Sequence, residues 1–140
     1  MDQSLHVLLV DDDADDREIF TWTMNTIYPS SVTETAIDGQ DALEKLALWE
    51  DGPDIIFVDL NMPRMNGLDF LRRIRQEKKW RQLPVIVYST SSNPLDMSRS
   101  REAGATDYIV KGNEMAVIKS DLLQALKKYH TSLSEHERRK

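Results

Sequence analysis

Cysteine is absent from the 140-residue chain, which removes disulfides, thiolate zinc sites, redox thiols and a cysteine nucleophile at once. Any nucleophile must be an oxygen or a nitrogen. Long apolar runs are missing too: the opening MDQSLHVLLVDDD holds only four apolar residues in a row, Val7 to Val10, before acid begins. That is too short and wrongly flanked for a signal peptide or a membrane span, so the chain is read as cytoplasmic with no membrane partner. Glycine and proline number five each and are scattered at turn-like places, with no fixed-period repeat and no low-complexity linker. Basic side chains are outnumbered 18 to 24, a net charge of −6, which speaks against a general binder of phosphate backbones and hence against a nucleic-acid partner. The length suits one domain and leaves no room for two ordinary ones.

Five short β-favouring runs recur along the chain: Leu5 to Val10, Ser31 to Ala36, Asp54 to Val58, Pro84 to Tyr88 and Tyr108 to Val110. Helical spacing lies between and after them, in Ile19, Phe20, Thr23, Met24 and Ile27, in Ala42, Leu43, Leu46 and Ala47, and in Leu68, Leu71 and Ile74. Pro94 to Ala103 is a sparsely anchored helix, and Met115, Ile118, Leu122, Ala125, Leu126 and Tyr129 mark the last one, expected to fray after about Thr131. The runs IIFV and VIVY are apolar at consecutive positions, as strands covered on both faces require. An α/β domain with a parallel sheet between helices follows. Residues 127–140 hold five basic against two acidic side chains and read as a solvated helix end. Arg72, Arg73, Arg75, Lys78, Lys79 and Arg81 read as a solvated face as well.

Acid is concentrated where two strands end. Asp11, Asp12 and Asp13 follow LLV, and Asp59 follows IIFV; the carboxyl ends of strands are where open α/β sheets place ligands. Two unit charges about 4 Å apart repel by roughly 4 kcal/mol at an effective dielectric near 20, so converging carboxylates call for a cation or a proton. Hard oxygen donors without histidine or cysteine favour magnesium. For Asp13, Asp15, Asp16 and Glu18 a plainer reading is preferred, an N-cap and an acidic first turn that complement the helix dipole. An EF-hand is excluded, because its glycine position would fall on Asp16 and its last ligand on Trp22. Ser89 closes VIVY and Lys111 closes YIV, adding a hydroxyl and an ammonium at the same sheet edge. Carboxylates, a hydroxyl donor and a cation together make a receptacle for a phosphoryl group.

These residues resemble the receiver domain of two-component response regulators. The resemblance spans residues 5–129 and is carried by VLLVDDD at 7–13, PDIIFVDLNMPRMNG at 53–67, LPVIVYSTSS at 83–92 and EAGATDYIVKG at 102–112. It implies a (βα)5, doubly wound, five-stranded parallel sheet of the flavodoxin-like or CheY-like kind. Residues 1–130 would form the receiver, and 131–140 a short charged tail without an output domain. Asp59 would be the phosphoacceptor. The metal, magnesium or manganese, would be held by Asp12 directly, Asp11 mostly through water, Asp59 and the backbone carbonyl of Asn61. Ser89 and Lys111 would bind phosphoryl oxygens, Thr90 would line the approach and with Asn61 tune hydrolysis, and Tyr108 would be the aromatic switch.

One departure stands out: the family mostly has lysine followed by a cis proline, and here the pair is Lys111-Gly112. The bond is then either cis, at about 2.5–4 kcal/mol before a non-proline residue, or takes a different trans path. Glycine here and the DLNMP spelling are similar to a subgroup of stand-alone receivers that includes those serving phytochrome-type kinases. The implied function is phosphoryl acceptance from a sensor histidine kinase or phosphotransfer protein, followed by binding of a target or relay of the phosphate. A homodimer across the last helix and strand is a family expectation. The protein would not be a conventional enzyme, although it would catalyse its own magnesium-dependent phosphorylation and dephosphorylation. Two alternatives are weighed: an aspartate-dependent phosphatase, which wants a second aspartate where this chain has Asn61, and a receiver that binds partners without phosphate.

Overall fold

Alternation along β1 (Leu5–Val10) divides the interior in two. In the computed structural model, which describes residues 4–138 and side chains as far as Tyr129, Leu5, Val7 and Leu9 point to one side of the sheet and Leu8 and Val10 to the other. β3 (Ile55–Val58) and β4 (Val85–Ser89) alternate in the same way. With β2 (Ser31–Ala36) and β5 (Asp107–Val110) they form one parallel sheet in the order β2-β1-β3-β4-β5. Residues Ile55 to Val58 have no exposed face, which explains the unbroken apolar run.

Helices α1 (Ala14–Ile27) and α5 (Met115–Arg138) cover one face, where Phe20, Met24, Leu122 and Leu126 pack against Phe57 and Ile86. The rings of Phe20, Phe57 and Tyr88 meet edge-on at centroid distances of 5.1, 6.0 and 6.1 Å. Helices α2 (Gly39–Leu48), α3 (Gly67–Arg75) and α4 (Pro94–Ala103) cover the other face, with Leu46, Phe70, Leu71 and Ile74 on Ile56, Val58 and Val87. Burying a side chain of this size is worth about 1.5–3 kcal/mol. Four of the helices open on a capping side chain: Asp13, Asp38, Asn66 and Asn93 each accept a backbone N–H from the first turn. α4 has Pro94 at its first turn and ends at Gly104, whose φ of 111° is left-handed. It buries only Ser100 and Ala103, in line with its sparse apolar pattern.

The strands lie within one residue of the expected bounds. The reading of Arg72, Arg73, Arg75, Lys78, Lys79 and Arg81 as a solvated face needs one correction, at Arg75, the last residue of α3. Its guanidinium is half-buried and donates to the carbonyls of Trp80 at 2.6 Å, Leu83 at 2.8 Å and Gly104 at 2.9 Å. It thereby fastens α3 to the start of β4 and to the α4–β5 turn. Five fixed donors in a fork suit that task, and no composition rule separates such an arginine from its exposed neighbours. No helix among the described residues is long and apolar enough to cross a membrane. The fraying expected after Thr131 falls on residues whose side chains lie outside those described.

Candidate functional site

The strand order reverses between β1 and β3, since β1 leads to β2 on one side and the later strands run off on the other. The crevice at the carboxyl ends of these two strands is the natural ligand position in such a sheet. Asp11 and Asp59 stand there, each held by an extension of the β ladder: Asp11 N–H donates to Ala36 O at 3.0 Å and Asp59 N–H to Val10 O at 2.9 Å. Their side chains are fixed locally. Asp11 Oδ1 accepts the Asp13 N–H at 2.9 Å, and Asp59 Oδ1 accepts the Leu60 N–H at 2.7 Å. One carboxylate oxygen from each of Asp11, Asp12 and Asp59 falls within 4.8 Å of the others. Asp11 is buried, Asp12 exposed and Asp59 between the two.

Lys111, just beyond β5, reaches into this group. Its N–H donates to Ser89 O at 2.7 Å, continuing the β4–β5 ladder. Its Nζ donates to Asp11 Oδ2 at 2.7 Å, Asp16 Oδ2 at 2.9 Å and Asp59 Oδ2 at 3.2 Å. Burial works against the lysine's charge, but the hydrogen bonds to Asp11 and Asp16 and the charge of Asp59 overcome it and raise its pKa. Lys111 is held as an ammonium. Burial pushes the Asp11 carboxyl above its usual range, opposed by the Lys111 hydrogen bond and assisted by the charge of Asp59. Three carboxylates, Asp11, Asp16 and Asp59, thus bind one ammonium, and an oxygen of a fourth, Asp12, lies within 4.8 Å of those of Asp11 and Asp59. Negative charge left over from oxygen donors alone is what a small, hard divalent cation satisfies, and Asp11, Asp12 and Asp59 are the residues that could hold it.

The remaining candidates take different places. Ser89 is the last residue of β4 and is buried at 1% exposure, its Oγ accepting the Ser91 N–H at 3.2 Å. It shares the sheet edge with the carboxylates through the Lys111–Ser89 backbone bond. Thr90 and Asn61 are exposed in the loops after β4 and β3. Tyr108 is half-buried against the α2–α4 side of the core, and its hydroxyl donates to Ser91 O at 2.7 Å. It is tied to the loop that follows Ser89 rather than to the carboxylates. Asp13 caps α1 as expected, accepting the Asp16 N–H at 2.9 Å.

Asp16 departs from its expected role. It does lie in an acidic first turn, but its carboxylate faces Lys111. The only signal in the sequence was its place in the first turn of a helix that starts at the same sheet edge as Asp11 and Asp12. The path of the Lys111-Gly112 bond is also settled, because every peptide bond among the described residues is trans. A Cβ at Gly112 would come within 2.7 Å of Val117 Cγ1, so glycine lets the chain pass close under the first turn of α5 while Lys111 still reaches the carboxylates.

Residues 7–125 match the family described as response regulator receiver domain. The chain belongs to the response regulator receiver family. This receiver is 32% identical to the chemotaxis protein CheY1 of Helicobacter pylori over 118 residues, covering 84% of this chain and 94% of that one. It superposes on the phosphorylated cyanobacterial phytochrome response regulator RcpA with a TM-score of 0.84 at 23% identity, covering 93% of this chain and 96% of that one, a likeness of fold. It also superposes on the Mn(2+)-bound form of response regulator Rcp1 with a TM-score of 0.75 at 25% identity, covering 89% and 93% of the two chains. The expected doubly wound, flavodoxin-like fold is the one observed. This receiver is a two-component signalling module rather than a conventional enzyme.

Proposed function

We propose that this receiver accepts a phosphoryl group from a histidine kinase or phosphotransfer protein onto Asp59, with Asp11, Asp12, Asp59 and the Asn61 carbonyl as ligands of magnesium or manganese. One observation carries the reading: oxygens of Asp11, Asp12 and Asp59 lie within 4.8 Å of one another with the Lys111 ammonium 3.2 Å from Asp59. In the transfer, an Asp59 carboxylate oxygen attacks phosphorus, the P–O bond forms, the P–N bond to the donor imidazole breaks, and the nitrogen keeps the electron pair. The divalent cation, when bound, neutralises charge on the phosphoryl oxygens and brings donor and acceptor together. Asp59 is only 14% exposed at its side chain, which restricts the approach of a donor and favours in-line alignment.

The transfer leaves about two negative charges on what was a single carboxylate. Lys111 turns to one phosphoryl oxygen and the Ser89 hydroxyl to another. Moving Ser89 draws on the loop that holds Ser91, and the Tyr108 hydroxyl is bonded to the Ser91 carbonyl, so Tyr108 gives up that bond and turns inward. The changed β4–α4–β5 surface is then read by a target, or the phosphate is handed on. Thr90 and Asn61, exposed in the loops after β4 and β3, set how freely water reaches the acylphosphate.

The function is tested by intact mass after incubation with acetyl phosphate. A gain of one phosphate that needs magnesium and is blocked by a chelator supports the reading, as does the absence of turnover on p-nitrophenyl phosphate. Steady hydrolysis of that ester would make the protein a phosphatase instead, and a metal-independent gain would contradict the ligand assignment. Asp12→Ala should weaken magnesium binding about tenfold or more, measured by calorimetry, because it deletes an exposed direct ligand without disturbing the core. Unchanged affinity would remove Asp12 from the metal site.

A further inference from the structure

The three carboxylates that hold the Lys111 ammonium differ in kind. Asp11 and Asp59 belong to the trio whose oxygens converge within 4.8 Å. Asp16 stands outside that trio, on the first turn of α1, with its backbone N–H fixed on the Asp13 cap at 2.9 Å and its side chain 41% exposed. It nevertheless binds Lys111 at 2.9 Å, closer than Asp59 does at 3.2 Å.

We propose that Asp16 is a positioning residue that holds Lys111 in a resting place and competes for it with the phosphoryl group on Asp59. The proposal rests on Asp59 being the acceptor. The physical case is one of divided lone pairs. Oxygens of Asp11 and Asp59 that serve a divalent cation have less to offer an ammonium, and the two cations repel. Asp16 keeps its whole charge for Lys111. A phosphoryl group, with about two charges and three strong acceptor oxygens, attracts the same ammonium. The lysine then divides its time between an anchored carboxylate on α1 and the phosphoryl oxygens, and the division sets how far the phosphorylated state is favoured. Because Asp16 is partly solvated, its hold is modest, in the range of an exposed ion pair rather than a buried one. Its removal therefore releases Lys111 to the phosphoryl group and strengthens the activated state. Asp16→Asn keeps the size and the helical position of the side chain, so α1 and its cap are preserved.

The test is calorimetric titration with beryllofluoride, a phosphoryl mimic, at saturating magnesium, on the full chain and four variants. Asp16→Asn should bind it about three- to fivefold more tightly than the unaltered protein, the value of a partly solvated ion pair, with magnesium affinity within about twofold. Asp15→Asn removes the same charge from a neighbouring exposed residue that is not a partner of Lys111, and should change binding by less than about 1.5-fold if the effect is specific. In a Lys111→Met background the gain from Asp16→Asn should vanish, because its route is gone. Equal effects of Asp16→Asn and Asp15→Asn, or a gain that survives without Lys111, would overturn the proposal in favour of a general field effect. Weaker binding by Asp16→Asn would reverse the assigned role and overturn it as well. Failure of the unaltered protein to bind beryllofluoride would overturn the acceptor reading and this proposal with it, whereas tight binding there combined with a null result for Asp16→Asn overturns this proposal alone.

Discussion

Asp59→Asn should abolish magnesium-dependent labelling by acetyl phosphate while the protein stays folded. An amide offers no lone-pair oxygen of comparable basicity to phosphorus, and none of the other carboxylates in the pocket is placed to replace it. Asp11 is buried at 1% exposure and already engaged by Lys111 and by the Asp13 N–H, and Asp16 is committed to Lys111 from α1. Asp12 is exposed and belongs to the proposed ligand set. The variant should be slightly more stable than the unaltered protein, by about 1 kcal/mol, because it relieves the repulsion that Asp59 exerts on Asp11 and gives up only the longest of the three Lys111 contacts. Urea denaturation beside the labelling assay checks both parts. Persistent stoichiometric labelling would move the acceptor elsewhere, and a large loss of stability would mean that Asp59 is chiefly a structural partner of Lys111.

Gly67→Ala should damage the fold and the site together. Gly67 opens α3 and donates its N–H to Leu60 O at 2.9 Å, folding the loop after β3 back on itself. A Cβ there would collide with the carbonyl oxygen of Asp59 and lie 3.0 Å from Leu60 Cα. Both obstacles are backbone, one of them belonging to Asp59 itself, so no side chain can step aside. The helix must retreat from β3, and the cost should be about 3 kcal/mol, the upper part of the range for overpacking a close contact. Labelling should fall at the same time, since the Asp59 peptide moves with the loop. A change of less than about 0.5 kcal/mol in urea denaturation would show that the loop has another packing available, and that the proximity of α3 does not hold Asp59 in place.

Much of this was legible in the sequence for a physical reason. Strands covered on both faces must be apolar at successive positions, so IIFV and VIVY announced a sandwiched parallel sheet, and polar residues directly after them marked the edge where Asp11, Asp59 and Lys111 meet. What the sequence concealed depended on three-dimensional neighbours. Asp15 and Asp16 sit side by side in the acidic first turn of α1, and it is the way that turn faces the sheet edge that gives Lys111 to Asp16. Arg75 lies in a run of basic residues, and its burial follows from three carbonyls brought around it by the turn that follows α3 and, from farther along the chain, by the end of α4. The Lys111-Gly112 bond was open between two paths, and the trans path needs the close passage under Val117 that a glycine permits. Tyr108 was legible as an aromatic on β5, but its bond to the Ser91 carbonyl, the link that couples it to Ser89, is a property of the loop between β4 and α4.

The most direct measurement is to map the phosphate chemically. The receiver would be labelled with acetyl phosphate and magnesium, reduced with borohydride so that an aspartyl phosphate becomes homoserine, digested, and read by peptide sequencing in a mass spectrometer. Homoserine at position 59 alone is the expected result. Homoserine at position 11, 12 or 16, or a phosphate that survives reduction on a serine, threonine or histidine, would contradict the assignment of Asp59 as the acceptor.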